Sequence, residues 1–337
     1  MAPAERFAYT VARLRAMSGR LLEDGLIQRM LDCEDLDSAL KVLAETTYSS
    51  WLAELKGGTD FDRVIEAELL HTYEEVQKFV PDVRLVHLCR LPYDFHNVKV
   101  LVKSAILVRD GGERRFDLLT SLGVVPTDSL IMAIESEDYR LLPFGLHRLV
   151  PQCLTQWEQT KDILQVENIL DAGLFSVLAE LAAETGFESS VRWVKGRIDA
   201  ENIRNLLRLK RMDAEAGYVA SFMHEGGWLS TDKLLPILNE PVESWPRILS
   251  YSDVSGVFAN VQDMSDIGAM LVDMEKVLDE YVSAVLGRAK YEAFAPENVI
   301  SFLWQKELEA KNLRIALVSV ANDTDRSVAR RLLRHGR

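Results

Sequence analysis

From Phe61 to Val80, apolar side chains recur at Phe61, Val64, Ile65, Leu69, Tyr73, Val76 and Val80, while Asp62, Glu66, Glu68, Glu74 and Glu75 fill the positions between them. Spacings of three and four put the first set on one helix face, against a core, and the acids on the solvent face. Leu36 to Leu55 reads the same way, with Ala39, Leu40, Leu43 and Ala44 on one side, as does Ile163 to Leu181. Gly57-Gly58-Thr59-Asp60 stops one helix and starts the next, with Asp60 a fitting cap. A long helix is expected from about Asp263. Its Met264, Ile267, Leu271, Met274, Leu278, Tyr281 and Val285 alternate spacings of three and four, the seam pattern of a bundle contact. Convincing strand alternation is absent, so the fold class is all-α.

One stretch recurs. Asp94-Phe95-His96-Asn97-Val98-Lys99 returns as Asp199-Ala200-Glu201-Asn202-Ile203-Arg204 and again as Glu309-Ala310-Lys311-Asn312-Leu313-Arg314. Each copy has an acid, an asparagine three residues on, an aliphatic residue and a base. A second signature, Gly123-Val124-Val125-Pro126-Thr127-Asp128, returns as Gly227-Trp228-Leu229-Ser230-Thr231-Asp232, with Thr and Asp as helix-starting residues after a loop glycine. Solenoid repeats run ~20–50 residues, and this period, near one hundred, is the length of a small domain. The chain thus divides into helical units 1–92, 93–197 and 198–337, the last with a basic tail at Arg326, Arg330, Arg331, Arg334 and Arg337. That tail reads as a solvated terminus or as a contact for an acidic partner.

Two readings of the repeat stand side by side. Asp94, just after Pro92, suits an N-cap whose carboxylate accepts from the amide of Asn97. Asparagine is mildly unfavourable inside helices, so its recurrence equally suits a residue that bonds across to a neighbouring unit or a partner. Glu309 fits capping less well, because Trp304 to Leu313 reads as helix on both sides of it. Lys99 with Lys103, and Arg204 with Arg208, share one exposed face.

A formal charge of −13 speaks against nucleic acid as a partner. Cys33, Cys89 and Cys153 have no CxxC spacing and read as reduced core thiols of a cytosolic protein. The longest uncharged run, Leu118 to Thr127, is far below the ~20 residues that cross a bilayer. Met1 to Arg6 is too short and polar for a signal peptide. No phosphate loop, dinucleotide fingerprint, nucleophile elbow or zinc helix is present. His87, Cys89 and His96 would not converge on a metal from a helix, and His71 and His147 read as structural. Neither cofactor nor catalytic site is expected.

The opening Tyr9-Thr10-Val11-Ala12-Arg13-Leu14-Arg15-Ala16 helix, the Pro92-Tyr93-Asp94 to Lys99 segment and the three-fold recurrence together resemble one family. It is the C subunit of the V/A-type rotary ATPases of archaea and bacteria, similar to the d subunit of the eukaryotic vacuolar ATPase. The resemblance covers essentially the whole chain. It implies three similar helical units around a pseudo-three-fold axis, forming a funnel-shaped socket. The central shaft, made of the D and F subunits, would be seated in it, with the membrane ring of c-type subunits beneath. Such a protein is non-catalytic. It carries torque for ATP-coupled proton or sodium transport from the cytoplasmic side and is joined to the membrane through the complex. Candidate interface residues are the repeat positions Asp94, Asn97, Lys99, Asp199, Asn202, Arg204, Glu309, Asn312 and Arg314. Departures are Glu309 for aspartate, Val318 in the place of Lys103 and Arg208, and the lack of a clear Gly-x-x-x-Thr-Asp segment in the first unit. A helical-repeat scaffold unrelated to rotary motors and an enzyme assembled from scattered carboxylates are the competing readings.

Overall fold

The computed structural model describes residues 3–53, 60–109, 111–261, 264, 266–287 and 295–335. Among them there is no strand, and sixteen α-helices are joined by loops and short 3₁₀ turns. The first five are α1 (Pro3–Ser18), α2 (Asp24–Leu31), α3 (Leu36–Leu43), α4 (Ser49–Leu52) and α5 (Phe61–Gln77). Next come α6 (Arg84–Arg109), α7 (Thr127–Glu135), α8 (Leu146–Thr160), α9 (Ile163–Thr185) and α10 (Glu188–Arg211). The rest are α11 (Ala216–Ala220), α12 (Thr231–Leu234), α13 (Trp245–Ile248), α14 (Ile267–Val285), α15 (Glu297–Ala321) and α16 (Arg326–Leu332).

Six long helices carry the architecture, and their contacts form a cycle. α6 packs on α9, α9 on α10, α10 on α14, α14 on α15, α15 on α5, and α5 returns to α6. The members α6, α10 and α15 carry the repeat, and α9, α14 and α5 alternate with them. Each carries an apolar face wide enough for two neighbours. The α5 stripe is buried as its spacing demands, at Phe61, Val64, Ile65, Leu69, Tyr73 and Val76. α9 starts at Asp162, whose carboxylate accepts from the amides of Leu164 and Gln165, and stops at Gly186, held at φ +71°. α7 and α12 start at Thr127 and Thr231, the helix-starting threonines of the second signature.

Several expectations are corrected. Asp94 is not an N-cap: α6 begins at Arg84 and runs through Pro92, so Asp94 lies in mid-helix. Its helical amides are already taken, and the carboxylate turns outward to a loop. The proline ring denies the Leu88 carbonyl its helical donor and leaves the helix otherwise continuous. The proposed unit boundaries at 92/93 and 197/198 fall inside α6 and α10. Leu36 to Leu55 is not one helix, because Thr46 Oγ1 donates to the Leu43 carbonyl and accepts from the Tyr48 amide, offering the backbone another route. Asp60 makes no cap bond and pairs with Arg63 instead. The buried face of α14 centres on Met270, Met274, Val277, Leu278 and Val282, because the helix is held between α10 and α15 and the expected seam is only its edge. Gly57 to Thr59, Asp263 and Arg337 lie outside the described residues.

The two ends of the chain meet. α15 contacts α1, α2, α3 and α5, and α16 packs on α2. α1 lies across this junction, with Phe7 edge-on to Phe187 at 5.5 Å and Thr10 Oγ1 donating to the Phe79 carbonyl.

Candidate functional site

The repeat asparagines make one geometry three times. Asn97 Nδ2 donates to the Thr120 carbonyl at 2.8 Å, and the Thr120 amide donates back to Oδ1 at 2.9 Å. Asn202 makes the same pair with His224, at 2.8 Å each way. Asn312 makes it with Arg334, at 2.9 and 2.8 Å. In every case the partner lies 22 or 23 residues downstream. The primary amide matches a backbone peptide in donor and acceptor, so it holds a returning loop as a strand neighbour would. All three asparagines are buried.

The acids hold the next part of that loop. Asp94 accepts from the Val124 and Val125 amides at 2.9 and 2.8 Å, and Asp199 from the Trp228 and Leu229 amides at 3.3 and 3.0 Å. The loop glycines now have a reason. A Cβ at Gly123 would collide with Asp94 Oδ1, and one at Gly227 with Asp199 Oδ1. Burial pushes both carboxyls up to about 6, against the amides that favour the charged form.

In the third copy the loop comes from both ends of the chain. Glu309 accepts from the Leu22 amide at 2.6 Å, and Leu22 lies just ahead of α2 as Val125 does ahead of α7. Glutamate therefore replaces aspartate with a longer reach, and Arg20 stands where the other loops need glycine. Glu309 also accepts from Tyr48 Oη and Lys306 Nζ, both at 2.7 Å, and Lys306 reaches Glu68 at 3.0 Å. Glu68, expected on a solvent face, is buried and takes the Trp51 indole N–H as well. This buried charge cluster seals the junction of the chain ends.

The repeat bases tie each repeat helix to its neighbour in the cycle. Lys99 and Lys103 of α6 pair with Asp171 and Glu167 of α9. Arg204 and Arg208 of α10 pair with Glu275 of α14, and Arg314 of α15 with Asp62 of α5. The basic tail is engaged too: Arg330 pairs with Asp32, Arg331 with Asp273 and Arg334 with Asp279.

The three repeat helices also converge on one cavity of about 190 Å³. Pro92, Arg197 and Glu307, each five residues before its asparagine, all line it. Glu307 accepts from Tyr93 Oη at 2.9 Å and from Tyr73 Oη. Burial, then Glu307 itself, pushes both tyrosines well above their ordinary range, so they remain donors. Arg197 and Glu307 lie outside the repeat signature, and only their shared offset from the asparagines could have marked them. His96 Nε2 meets the Leu118 carbonyl at 3.1 Å, and Cys89 is a buried thiol at the cavity wall.

The fold and its clasps thus define an all-helical chain in which one helix-and-loop unit recurs. Residues 10–332 match the family described as the ATP synthase (C/AC39) subunit, and the chain belongs to that family, as a non-catalytic stalk component of V/A-type ATPases. It is 24% identical to the C subunit of the V-type sodium ATPase of Enterococcus hirae, over 92% of both chains. It is 24% identical to the C subunit of the A-type ATP synthase of Methanocaldococcus jannaschii, over 91% of this chain and 81% of that one. The C subunit of the V-type ATP synthase of Thermus thermophilus is 27% identical over 61% of this chain and 64% of its own length.

Proposed function

We propose that the chain is a rotor socket: it seats the central shaft, formed by the D and F subunits, above the membrane ring of c-type subunits and carries torque between them. The observation that carries this reading is the helix cycle with three matching clasps about one cavity, at which equivalent positions of α6, α10 and α15 meet. Torque transfer needs an element that resists shear. Buried bidentate amide clasps within the units, and ion pairs between α6 and α9, α10 and α14, α14 and α15, and α15 and α5, supply that resistance.

The units of this reading are α6 to α9, α10 to α14, and α15 and α16 joined with α2 to α5. They are arranged as a pseudo-three-fold funnel on the cytoplasmic side. No described helix is long and apolar enough to cross a membrane, in keeping with attachment through the ring. The repeat residues act on docking from within. Asp94, Asn97, Asp199, Asn202, Glu309 and Asn312 set the shape of each unit, and Lys99, Arg204 and Arg314 set the spacing between helices.

The test is to mix the chain with the D–F pair of the same complex and measure mass by size exclusion with light scattering. A one-to-one complex is expected, weakened when Asn97, Asn202 or Asn312 is replaced by alanine. Separate peaks at micromolar concentration would sink the socket and favour a scaffold.

A further inference from the structure

The cavity at the meeting point of α6, α10 and α15 holds charges of both signs, and all but one of the charged side chains have a hydrogen-bonding or ion-pair partner among the described residues. Arg204 is paired with Glu201 and Glu275, and Lys311 with Asp279 at 2.9 Å. Glu307 is held by two tyrosine hydroxyls. Arg197 is the exception. Its guanidinium lies over the Trp193 ring, 4.9 Å from the centroid, and among the described residues it has neither a hydrogen bond nor an ion pair. It is half-buried, on α10, at the wall of the cavity.

A guanidinium carries five N–H donors in a planar fork that fits a carboxylate or phosphate with two bonds. Stacking on tryptophan fixes its plane and leaves that edge unused. The carboxylates around it are already satisfied, so they do not compete for it at hydrogen-bonding distance. A cavity of about 190 Å³ admits the end of an acidic side chain or a small anion, with a few waters, and excludes a whole helix.

We propose that this cavity is a site for one small oxyanionic group, a carboxylate or its like, received by Arg197. The group comes either from an acidic side chain of the docked shaft, a source that rests on the socket reading, or from a free anion. In both cases the anion gives Arg197 the hydrogen-bonding partner that it lacks among the described residues. It thereby joins α10 to whatever enters along the meeting point of the three helices.

The experiment compares wild type, R197Q and R197K. Affinity for the D–F pair is measured by calorimetry, and the thermal midpoint of the chain alone is followed with acetate and with inorganic phosphate. Loss of a buried charge-assisted bond predicts that R197Q weakens shaft binding about tenfold or more, with R197K partly restoring it. If R197Q weakens shaft binding and acetate and phosphate leave the wild-type midpoint unchanged, the shaft supplies the group. If they raise the wild-type midpoint and not that of R197Q, and shaft affinity is equal in both, the ligand is a free anion. An R197Q chain that loses thermal stability, yet matches wild type in shaft affinity and ignores both anions, overturns the site and leaves Arg197 a structural residue. Should wild type fail to bind the shaft at all, the socket reading falls, and the anion titrations still decide the site on their own.

Discussion

At the residue scale, the chain shows what one buried carboxylate does when it serves a loop. Asp94 is fully buried and its carboxyl titrates near 6, above an ordinary aspartate, because burial outweighs the two amides it accepts from. The sign of the linkage follows. The folded state binds the proton more tightly than the unfolded state, so stability attributable to Asp94 is greatest below the unfolded pKa and declines as the pH rises to about 6. Asp94→Asn carries no such titration. The stability of wild type relative to D94N, from denaturant unfolding, is therefore expected to fall between about pH 4 and 6 and then level. Asp199 behaves alike. A flat difference across that window would mean that the native carboxyl is already ionised. The sequence marked Asp94 through its recurrence. It could not mark its partners, Val124 and Val125, because one sequence fixes an acid's place on a helix and not which loop returns to it.

At the scale of elements, the unit is a long helix with a clasped loop, and loop and helix are matched atom against atom. Gly123 is needed for space, since any Cβ there meets the Asp94 carboxylate. Gly123→Ala is accordingly expected to cost about 1–3 kcal/mol, as an overpacked site does. Shortening the acid should relieve it, so the double change G123A/D94A is expected to cost less than the sum of the two single changes, by chemical denaturation. Strict additivity would refute the contact. Gly227 with Asp199 supplies the same cycle in the next unit. The recurrence of glycine and of aspartate was legible separately. Their dependence on one another was not, because they lie on different elements and meet only in the folded chain. The same limit explains α14, whose stripe was read for a single neighbour and which serves α10 and α15 together.

At the scale of the molecule, the helix cycle is covalently continuous except where α15 meets the first helices, and there the polar contacts change character. Two clasps are closed by a loop that belongs to one stretch of chain. The third is closed by Arg334 from one end and Leu22 from the other, around buried Lys306 between Glu68 and Glu309. This also accounts for the weaker third repeat and for the missing glycine signature in the first unit: these are two parts of one site, separated in sequence by most of the chain. No chain-wise comparison aligns them, since the match runs across the ends. Lys306→Met would leave two carboxylates facing one another without a cation, and removal of one partner from a buried ion cluster typically costs ~3–5 kcal/mol. Local opening follows the weakest cooperative unit. In K306M the amides of Leu22 and Arg334 should therefore exchange with solvent faster, while those of Thr120, Val125, His224 and Leu229 keep their wild-type protection. Native-state hydrogen exchange read residue by residue separates this from the alternative. Uniform acceleration of all six amides would mean that the cycle opens only as a whole, and that the junction of the chain ends is no weaker than the joints within it.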